Sequence, residues 1–239
     1  MTVQCRNARL PVLGGRGALR RLRSTSLAAL ALLLAACGSV AVKPTPALPR
    51  ALVQPLQARV GLVVNDRVRN YKHEEKRGNS GWKIDLGPGH EELFRTIFGT
   101  SFSSVQVFDS EAAARSAGNL QAIFEPEIEQ FSFVTDSETG GEYWAVTIRY
   151  RIAVLGQAGE AIDNLTLTGY GSSRAGRAAN ALTQATRAAM RDAAAKFLVQ
   201  LPRQPMAARL AAGEVLTAQD AAAAAMEIIE LVPIEPDAP

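Results

Sequence analysis

Residues 144–154 read Trp-Ala-Val-Thr-Ile-Arg-Tyr-Arg-Ile-Ala-Val, with a large apolar side chain at every second position. Side chains of a β-strand point alternately to the two faces of its sheet, so this pattern predicts a strand with one buried face. The sequence Gly-Gln-Ala-Gly at residues 156–159 is typical of a hairpin turn, and residues 162–170 return as the partner strand. This hairpin predicts that the fold is built on an antiparallel sheet.

Apolar patterns on both sides of this hairpin predict the remaining elements. We predict strands at 58–64, 82–86, 104–108 and 120–134, and helices at 90–102, 111–117 and 177–201. The alternation shifts phase between Ile128 and Phe131, which predicts a β-bulge near Glu129 and Gln130. The order of elements predicts an α+β fold with a single, mostly antiparallel sheet and helices packed on one of its faces.

The beginning of the chain has the pattern of an export signal. A basic cluster at residues 20–23 precedes the apolar run 27–36, which is too short to span a bilayer as a helix. The sequence Leu34-Ala35-Ala36-Cys37, followed by Gly38, resembles the lipobox of bacterial lipoproteins. The alternative is a secreted protein without lipid, in which the cysteine at this position is incidental.

The lipobox resemblance implies a processed and lipidated protein. Residues 1–36 would be removed as a signal peptide, and Cys37 would carry a diacyl group on sulfur and an acyl group such as palmitate on its new amino terminus. The membrane would then be a partner through Cys37. The residue after the cysteine is Gly38 rather than aspartate, which implies sorting to the periplasmic face of the outer membrane.

Removal of the signal peptide changes the charge of the chain. The full sequence has 26 basic and 23 acidic side chains, but residues 1–36 contain six arginines and no acid. The mature chain would therefore have 20 basic side chains and be mildly acidic, which does not favour a nucleic-acid partner. Cys5 would be lost and Cys37 lipidated, so no thiol would remain for a disulfide or a metal site.

Proline and charge distribution predict the domain boundaries. Residues 37–57 contain four prolines and are predicted to form a lipidated, flexible tether. The α+β domain is predicted at 58–201, with a charged loop at 65–81. Residues 202–239 are predicted to be a C-terminal extension with one helix at 221–231 and a disordered tail.

The sequence provides little support for catalysis. His73 and His90 are the two histidines, and neither belongs to a metal-binding or nucleophile motif. The least favoured alternative is a hydrolase with a triad of Ser101, His90 and Asp85. Glu125, Glu127 and Glu129 share one strand face, and Gly169-Tyr170-Gly171 lacks phosphate-loop spacing; both have ordinary structural explanations. We therefore predict a protein that is not an enzyme and needs no cofactor or metal.

Four arginines are the candidate partner-contact residues. Arg149 and Arg151 share the polar face of the strand at 144–154, where two guanidinium groups could bind an anionic ligand or partner. The structural alternative is pairing with glutamates such as Glu127 on a neighbouring strand. Arg67 and Arg69 lie in the predicted charged loop, and binding residues are often carried by loops.

The order of predicted elements behind the lipobox resembles that of several small α+β lipoproteins of the bacterial outer membrane. These are the YajG-like lipoproteins, the lipopolysaccharide-assembly lipoprotein and the auxiliary lipoproteins of lipid ABC transporters. The resemblance covers residues 58–201 and implies a non-catalytic accessory or scaffold in envelope assembly or lipid transport. Its implied partner is a protein complex of the cell envelope. The alternative is a periplasmic carrier that holds a small ligand or lipid in an internal cavity.

Overall fold

A computed structural model describes residues 39–49, 51–77 and 80–218. The strands in these ranges are β1 Ser39–Val42, β2 Leu56–Val63, β3 Lys72–Arg77, β4 Ser80–Asp85, β5 Phe102–Phe108, β6 Ala122–Val134, β7 Tyr143–Leu155 and β8 Ala161–Arg174. The helices are α1 Asp66–Arg69, α2 Gly87–Ser101, α3 Glu111–Ser116, α4 Ala178–Gln200 and α5 Pro205–Ala211, with 3-10 turns at Asp136–Thr139 and Leu201–Arg203. Cys37 and the predicted helix at 221–231 lie outside the described residues.

The larger sheet contains five strands in the order β5-β2-β6-β7-β8. The hairpin of β7 and β8 is confirmed, and β6 pairs antiparallel with β7. The register of β6 against β7 shifts between Ile128 and Gln130, which confirms the predicted bulge. However, β2 is parallel to both β5 and β6. The chain between β2 and β5 includes helix α2, and the chain between β5 and β6 includes helix α3, so both are crossover connections of the kind that parallel strands need.

The prediction of a single, mostly antiparallel sheet is wrong, because the described chain forms a second sheet in the order β1-β4-β3. In this three-stranded sheet β4 is antiparallel to β3 and parallel to β1. Its strand β3 falls in the predicted charged loop. The half-buried side chains of β3 cover aromatic rings of the larger sheet: His73 lies 5.0 Å from Phe131, and the Arg77 guanidinium lies 4.4 Å from the centre of the Phe133 ring.

Residues 39–49, part of the predicted flexible tether, are docked on the domain. Val42 and the side chains of Pro44 and Pro46 are buried. The chain therefore runs extended across the domain surface, and the tether prediction does not describe this segment. Proline favours an extended backbone in either case, so the composition alone did not distinguish a free segment from a docked one.

Helices α2 and α4 and the three-stranded sheet cover one face of the larger sheet and enclose the main core. Helix α4 approaches β8 closely because Gly171 carries no side chain; a Cβ there would lie 2.1 Å from the carbonyl oxygen of Ala185. The opposite face carries α3 and a small second core of Val63, Ala114, Leu120, Ile123 and Leu155. The prediction that all helices pack on one face is therefore also wrong.

The beginning of the C-terminal extension packs on the domain. Helix α5 starts at Pro205, a position where the missing proline N–H costs no helical hydrogen bond. Leu210 and Leu216 are buried, and the backbone N–H of Leu216 donates to the carbonyl oxygen of Gln121 at 2.9 Å. Residues 205–216 therefore extend the domain beyond the predicted boundary at residue 201.

Candidate functional site

A polar crevice of about 440 Å³ lies between α1 and the outer face of β6 and β7. Strand β2 pairs with β6 only as far as Phe124, so one edge of β6 is free beyond that point. Pro126, which has no backbone N–H to pair, lies in this unpaired stretch, as expected for an edge. The chain after β2 turns away at Asn65, whose side-chain Nδ2 donates to Glu125 Oε1 at 2.8 Å and closes one end of the crevice.

The crevice brings together two of the four predicted arginines, Arg67 and Arg151. Arg151 is neutralised on its own sheet face by Glu127, at 2.5 Å, and by Glu129, at 3.1 Å. This pairing confirms the structural alternative for Arg151. Arg67 is exposed and makes no ion pair with a described residue. Among the described residues that line the crevice, Arg67 is thus a cation without an ion pair, and it lies beside the compensated cluster of Arg151, Glu127 and Glu129. Such a mixed surface suits polar contacts better than strong binding of an anion.

The other two predicted arginines lie apart from the crevice. Arg69 is bound to Asp109 and lies 3.8 Å from Glu91, and the hydrogen bond that Arg69 donates to the Asp109 carboxylate raises the pKa of Arg69 above its ordinary value. Arg149 is exposed on the same sheet face as Arg151, between Gln130 of β6 and Thr168 of β8. The structure therefore assigns Arg69 to structural pairing and leaves Arg149 as an exposed cation outside the crevice.

A second, apolar groove of about 340 Å³ lies where α2, α4 and the docked N-terminal segment meet. Its lining is Leu48, Pro49, Ala51, Thr96, Ile97, Thr100, Arg191, Ala194, Ala195 and Leu198. The small side chains of Ala194 and Ala195 leave the space that larger residues would fill. Next to the groove in sequence, Leu52 is 96% exposed and Val199 is 54% exposed. The lining of the groove is mainly apolar, and exposed apolar surface is of the type that binds partners.

Sequence reasoning missed this groove for a physical reason. The groove forms only when the segment at 48–51 docks beside α4, and that segment was predicted to be a free tether. The docking depends on Arg191, whose Nε donates to the carbonyl oxygens of Pro46 and Ala47 at 3.2 and 3.1 Å. The signal available in the sequence was Leu52, a large apolar residue shortly after the prolines. A tether that is surrounded by water rarely contains large apolar side chains, so Leu52 indicated that this segment contacts something.

His90 is fully buried in the main core, on the first turn of α2. Its Nδ1 lies 2.7 Å from the carbonyl oxygen of Leu86, which can only accept, so Nδ1 carries the proton. Nε2 then accepts the hydroxyl proton of Tyr150 at 2.8 Å. Burial lowers the pKa of His90 to about 4, although the Leu86 hydrogen bond opposes the shift, and burial raises the pKa of Tyr150 well above its ordinary value.

The residues of the hydrolase alternative are not assembled around this imidazole. The Ser101 hydroxyl donates to the carbonyl oxygen of Ile97 at 2.7 Å, and Asp85 pairs with Lys43 at 3.2 Å. Both ring nitrogens of His90 are already bonded within the core. This arrangement gives His90 a structural role, connecting α2 to β7 through Tyr150.

Two further kinds of feature are absent from the part of the chain that the structure describes. Residues 39–49, 51–77 and 80–218 contain no group of three or more His, Cys, Asp or Glu side chains placed to hold a metal ion. Within the same ranges, no helix combines the length and the apolar character needed to cross a membrane.

No family model matches the chain, and no curated protein matches it. Solved structures that align with it include a Helicobacter pylori chain assigned as a homologue of neuraminyllactose-binding hemagglutinin, at 8% identity and a TM-score of 0.44. That alignment covers 80% of this chain and 100% of the other. A Caulobacter crescentus CB15 chain assigned as a lipoprotein aligns at 11% identity and a TM-score of 0.33, over 52% of this chain and 80% of the other. Similarity at this level carries no inference about function.

Proposed function

We propose that this chain is a lipoprotein anchored through Cys37 to the periplasmic face of the outer membrane, and that it acts as a non-catalytic accessory or scaffold in the cell envelope. Its folded domain would bind an envelope protein through the apolar groove between α2 and α4. The observation that carries the proposal is the sequence Leu34-Ala35-Ala36-Cys37 after a basic and apolar leader.

The surface of the domain supports a binding role. The apolar groove has few polar atoms in its lining, and Leu52 and Val199, which follow lining residues in sequence, are exposed apolar side chains. Soluble proteins rarely expose such a surface unless it binds a partner or a ligand. The groove lies between two helices and is lined mainly by apolar side chains, which suits a row of apolar side chains on a partner helix or strand.

The internal-cavity carrier is less well supported than the scaffold. The space between α2 and the larger sheet is filled by aromatic side chains; Phe94 and Phe98 are at most 1% exposed, and Phe98 lies 5.2 Å from Phe124 between ring centres. A lipid bound at this place would have to displace these rings. A carrier would instead have to use the open groove, where a bound acyl chain would remain partly exposed.

Two experiments test the proposal. Metabolic labelling with an alkyne analogue of palmitate should label the wild-type protein and not the Cys37→Ser variant, which should also leave the outer-membrane fraction. A Cys37→Ser variant that remains membrane-bound would contradict the anchor.

The partner site is tested by a photo-crosslinking amino acid at Ala195, in the groove, with the exposed Ser116 of α3 as the matched control. We expect a discrete protein adduct in cells from position 195 and none from 116. Equal adducts from both positions, or a lipid adduct alone at 195, would contradict the protein scaffold; the lipid adduct would favour the carrier.

A further inference from the structure

The connection between the predicted lipidation site and the folded domain is very short. Only Gly38 separates Cys37 from Ser39, the first residue of β1. Two residue steps of an extended chain span about 7 Å at most. If Cys37 carries the acyl chains, the beginning of β1 is held within that distance of the anchored residue.

Strand β1 is firmly attached to the rest of the domain. It pairs in parallel with β4 over its whole length, from Ser39 opposite Gly81 to Val42 opposite Ile84. Beyond the strand, the carbonyl oxygen of Pro44 packs so tightly on α2 that a Cβ at Gly89 would lie 2.3 Å from it. The segment therefore transmits the position of the anchor to the domain instead of acting as a flexible spacer.

One end of the domain lies beside Ser39, and we call it the anchor pole: Ser39, Arg77, Ser80, the turn Asp136–Thr139 and Tyr143. Ser80 precedes the Gly81 partner of Ser39, and it pairs with Arg77 across the β3–β4 hairpin. Arg77 in turn donates to both carboxylate oxygens of Glu138 at 2.6 and 2.7 Å. These contacts place the tip of the small sheet, the turn and the beginning of β7 at the same end.

The anchor pole has side chains that suit a phospholipid surface. Tyr143 is 43% exposed, and tyrosine is favoured where an apolar layer meets headgroups and water. Val134, at the end of β6, is 38% exposed. At the same end, Lys76, Arg174 and Arg177 are exposed and make no ion pair with a described residue, which leaves them available to lipid phosphates beside the carboxylates of Asp136 and Glu142.

We infer that the anchor pole faces the phospholipid bilayer and that the rest of the domain extends away from the bilayer. This inference rests on the proposed acylation of Cys37. Ala178, the first residue of α4, lines a cleft at this pole with Arg77. The groove residue Ala194 is 16 positions further along α4, about 24 Å at 1.5 Å per residue. The apolar groove would therefore be presented to the periplasm, beyond the headgroup layer, where a partner can reach it.

The orientation is tested on the acylated protein reconstituted into vesicles of phosphatidylethanolamine and phosphatidylglycerol. The processed chain has no free thiol, so Ser80→Cys at the pole and Ser116→Cys on α3 can each carry one fluorophore. Helix α3 packs beside Leu155, at the far end of the 13-residue strand β7, about 40 Å from Tyr143. We expect a quencher on the lipid headgroups to quench the label at 80 several-fold more than the label at 116.

A linker variant tests whether the short connection holds the pole in place. Ten glycine and serine residues inserted between Gly38 and Ser39 should lower the quenching at position 80 several-fold, while the protein still floats with the vesicles. Equal quenching at positions 80 and 116, or no effect of the linker, would overturn the orientation. A protein that does not float with vesicles at all would instead contradict the proposed lipid anchor.

Discussion

The two sheets of the domain are stabilised in different ways. In the larger sheet, β7 places fully buried aliphatic side chains such as Ile148 and Ile152 against the helices. In the smaller sheet, β3 has no aliphatic residue, and its inward side chains His73, Glu75 and Arg77 are half-buried and paired: Glu75 accepts from His73 at 3.1 Å and from Arg77 at 2.9 Å.

This difference predicts an unequal distribution of stability. Burying one large aliphatic side chain contributes about 1.5–3 kcal/mol, whereas a solvent-accessible ion pair contributes about 0–1 kcal/mol. The larger sheet and its helices should therefore determine the global free energy of unfolding. Within the smaller sheet, Trp82 and Ile84 of β4 are buried in the main core and should share in this stability, whereas β3 should act as an attached cover over Phe131 and Phe133.

The largest effect is expected from truncating the main core with Phe98→Ala. The Phe98 ring is fully buried, with ring centres 5.0 Å from Phe197 and 5.8 Å from Phe102. The lost contacts and the resulting cavity should lower the free energy of unfolding by about 4 kcal/mol, measured by urea denaturation. Leu52→Ala, at a 96% exposed position, is the control and should change it by less than about 0.5 kcal/mol. Similar losses in both variants would contradict the location of the core.

The next largest effect is the pH dependence caused by His90. Its pKa is about 4 in the folded protein and about 6.5 when exposed, so between these values the unfolded chain binds a proton that the folded chain excludes. The free energy of unfolding should be highest above pH 6.5. It should fall by about 3 kcal/mol as the pH drops to 4, because each pH unit in this window contributes up to about 1.36 kcal/mol.

Comparison with His90→Gln isolates this contribution. Glu138, whose pKa is lowered by hydrogen bonds from Thr135, titrates in both proteins and cancels in the difference. The difference in unfolding free energy between the two proteins should therefore change with pH only in the window from 6.5 to 4. If the unfolding free energies of the two proteins changed in parallel through this window, the His90 imidazole would be free to take up a proton in the folded protein.

Hydrophobic alternation explains how far the fold could be predicted from the sequence. Strands β6, β7 and β8 and helix α4 bury regular apolar rows, and their pattern predicted them with the bulge after Ile128. Strand β3 has the sequence Lys-His-Glu-Glu-Lys-Arg. It forms because it pairs with β4 and because the side chains of His73 and Arg77 cover the rings of Phe131 and Phe133. Such a strand depends on tertiary contacts and has no local apolar signal.

The candidate sites were less predictable than the fold. The sequence identified Arg67 and Arg151 and the pairing of Arg151 with Glu127 as an alternative, but not that the fold brings both arginines to one crevice or that Glu129 also pairs with Arg151. The apolar groove depends on a long-range contact between the segment at 46–49 and Arg191, over 140 residues apart. No periodicity within either segment contains that information.

A smaller and more local effect is expected from Gly89→Ala on α2. The new Cβ would lie 2.3 Å from the carbonyl oxygen of Pro44, so the docked N-terminal segment must move. We expect a loss of about 1–3 kcal/mol that appears mainly as faster hydrogen exchange in β1, with β7 still protected. Gly99→Ala on the same helix is the matched control: no atom lies within 4 Å of its Cβ, and it should stabilise the protein by up to about 1 kcal/mol. Equal exchange of β1 in both variants would show that the segment is not held by this contact.

The smallest effect is expected from the outer face of the small sheet, where Lys83 and Glu74 pair across β4 and β3. Their Nζ and Oε1 atoms are 3.6 Å apart, and both side chains are 61% exposed. Water screens such a pair, so the coupling energy in a double-mutant cycle of Lys83→Ala and Glu74→Ala should be less than about 0.5 kcal/mol. A coupling above about 1 kcal/mol would mean that surface charges stabilise the small sheet. Strand β3 would then not be an attached cover, and its pairing with β4 would weaken with added salt.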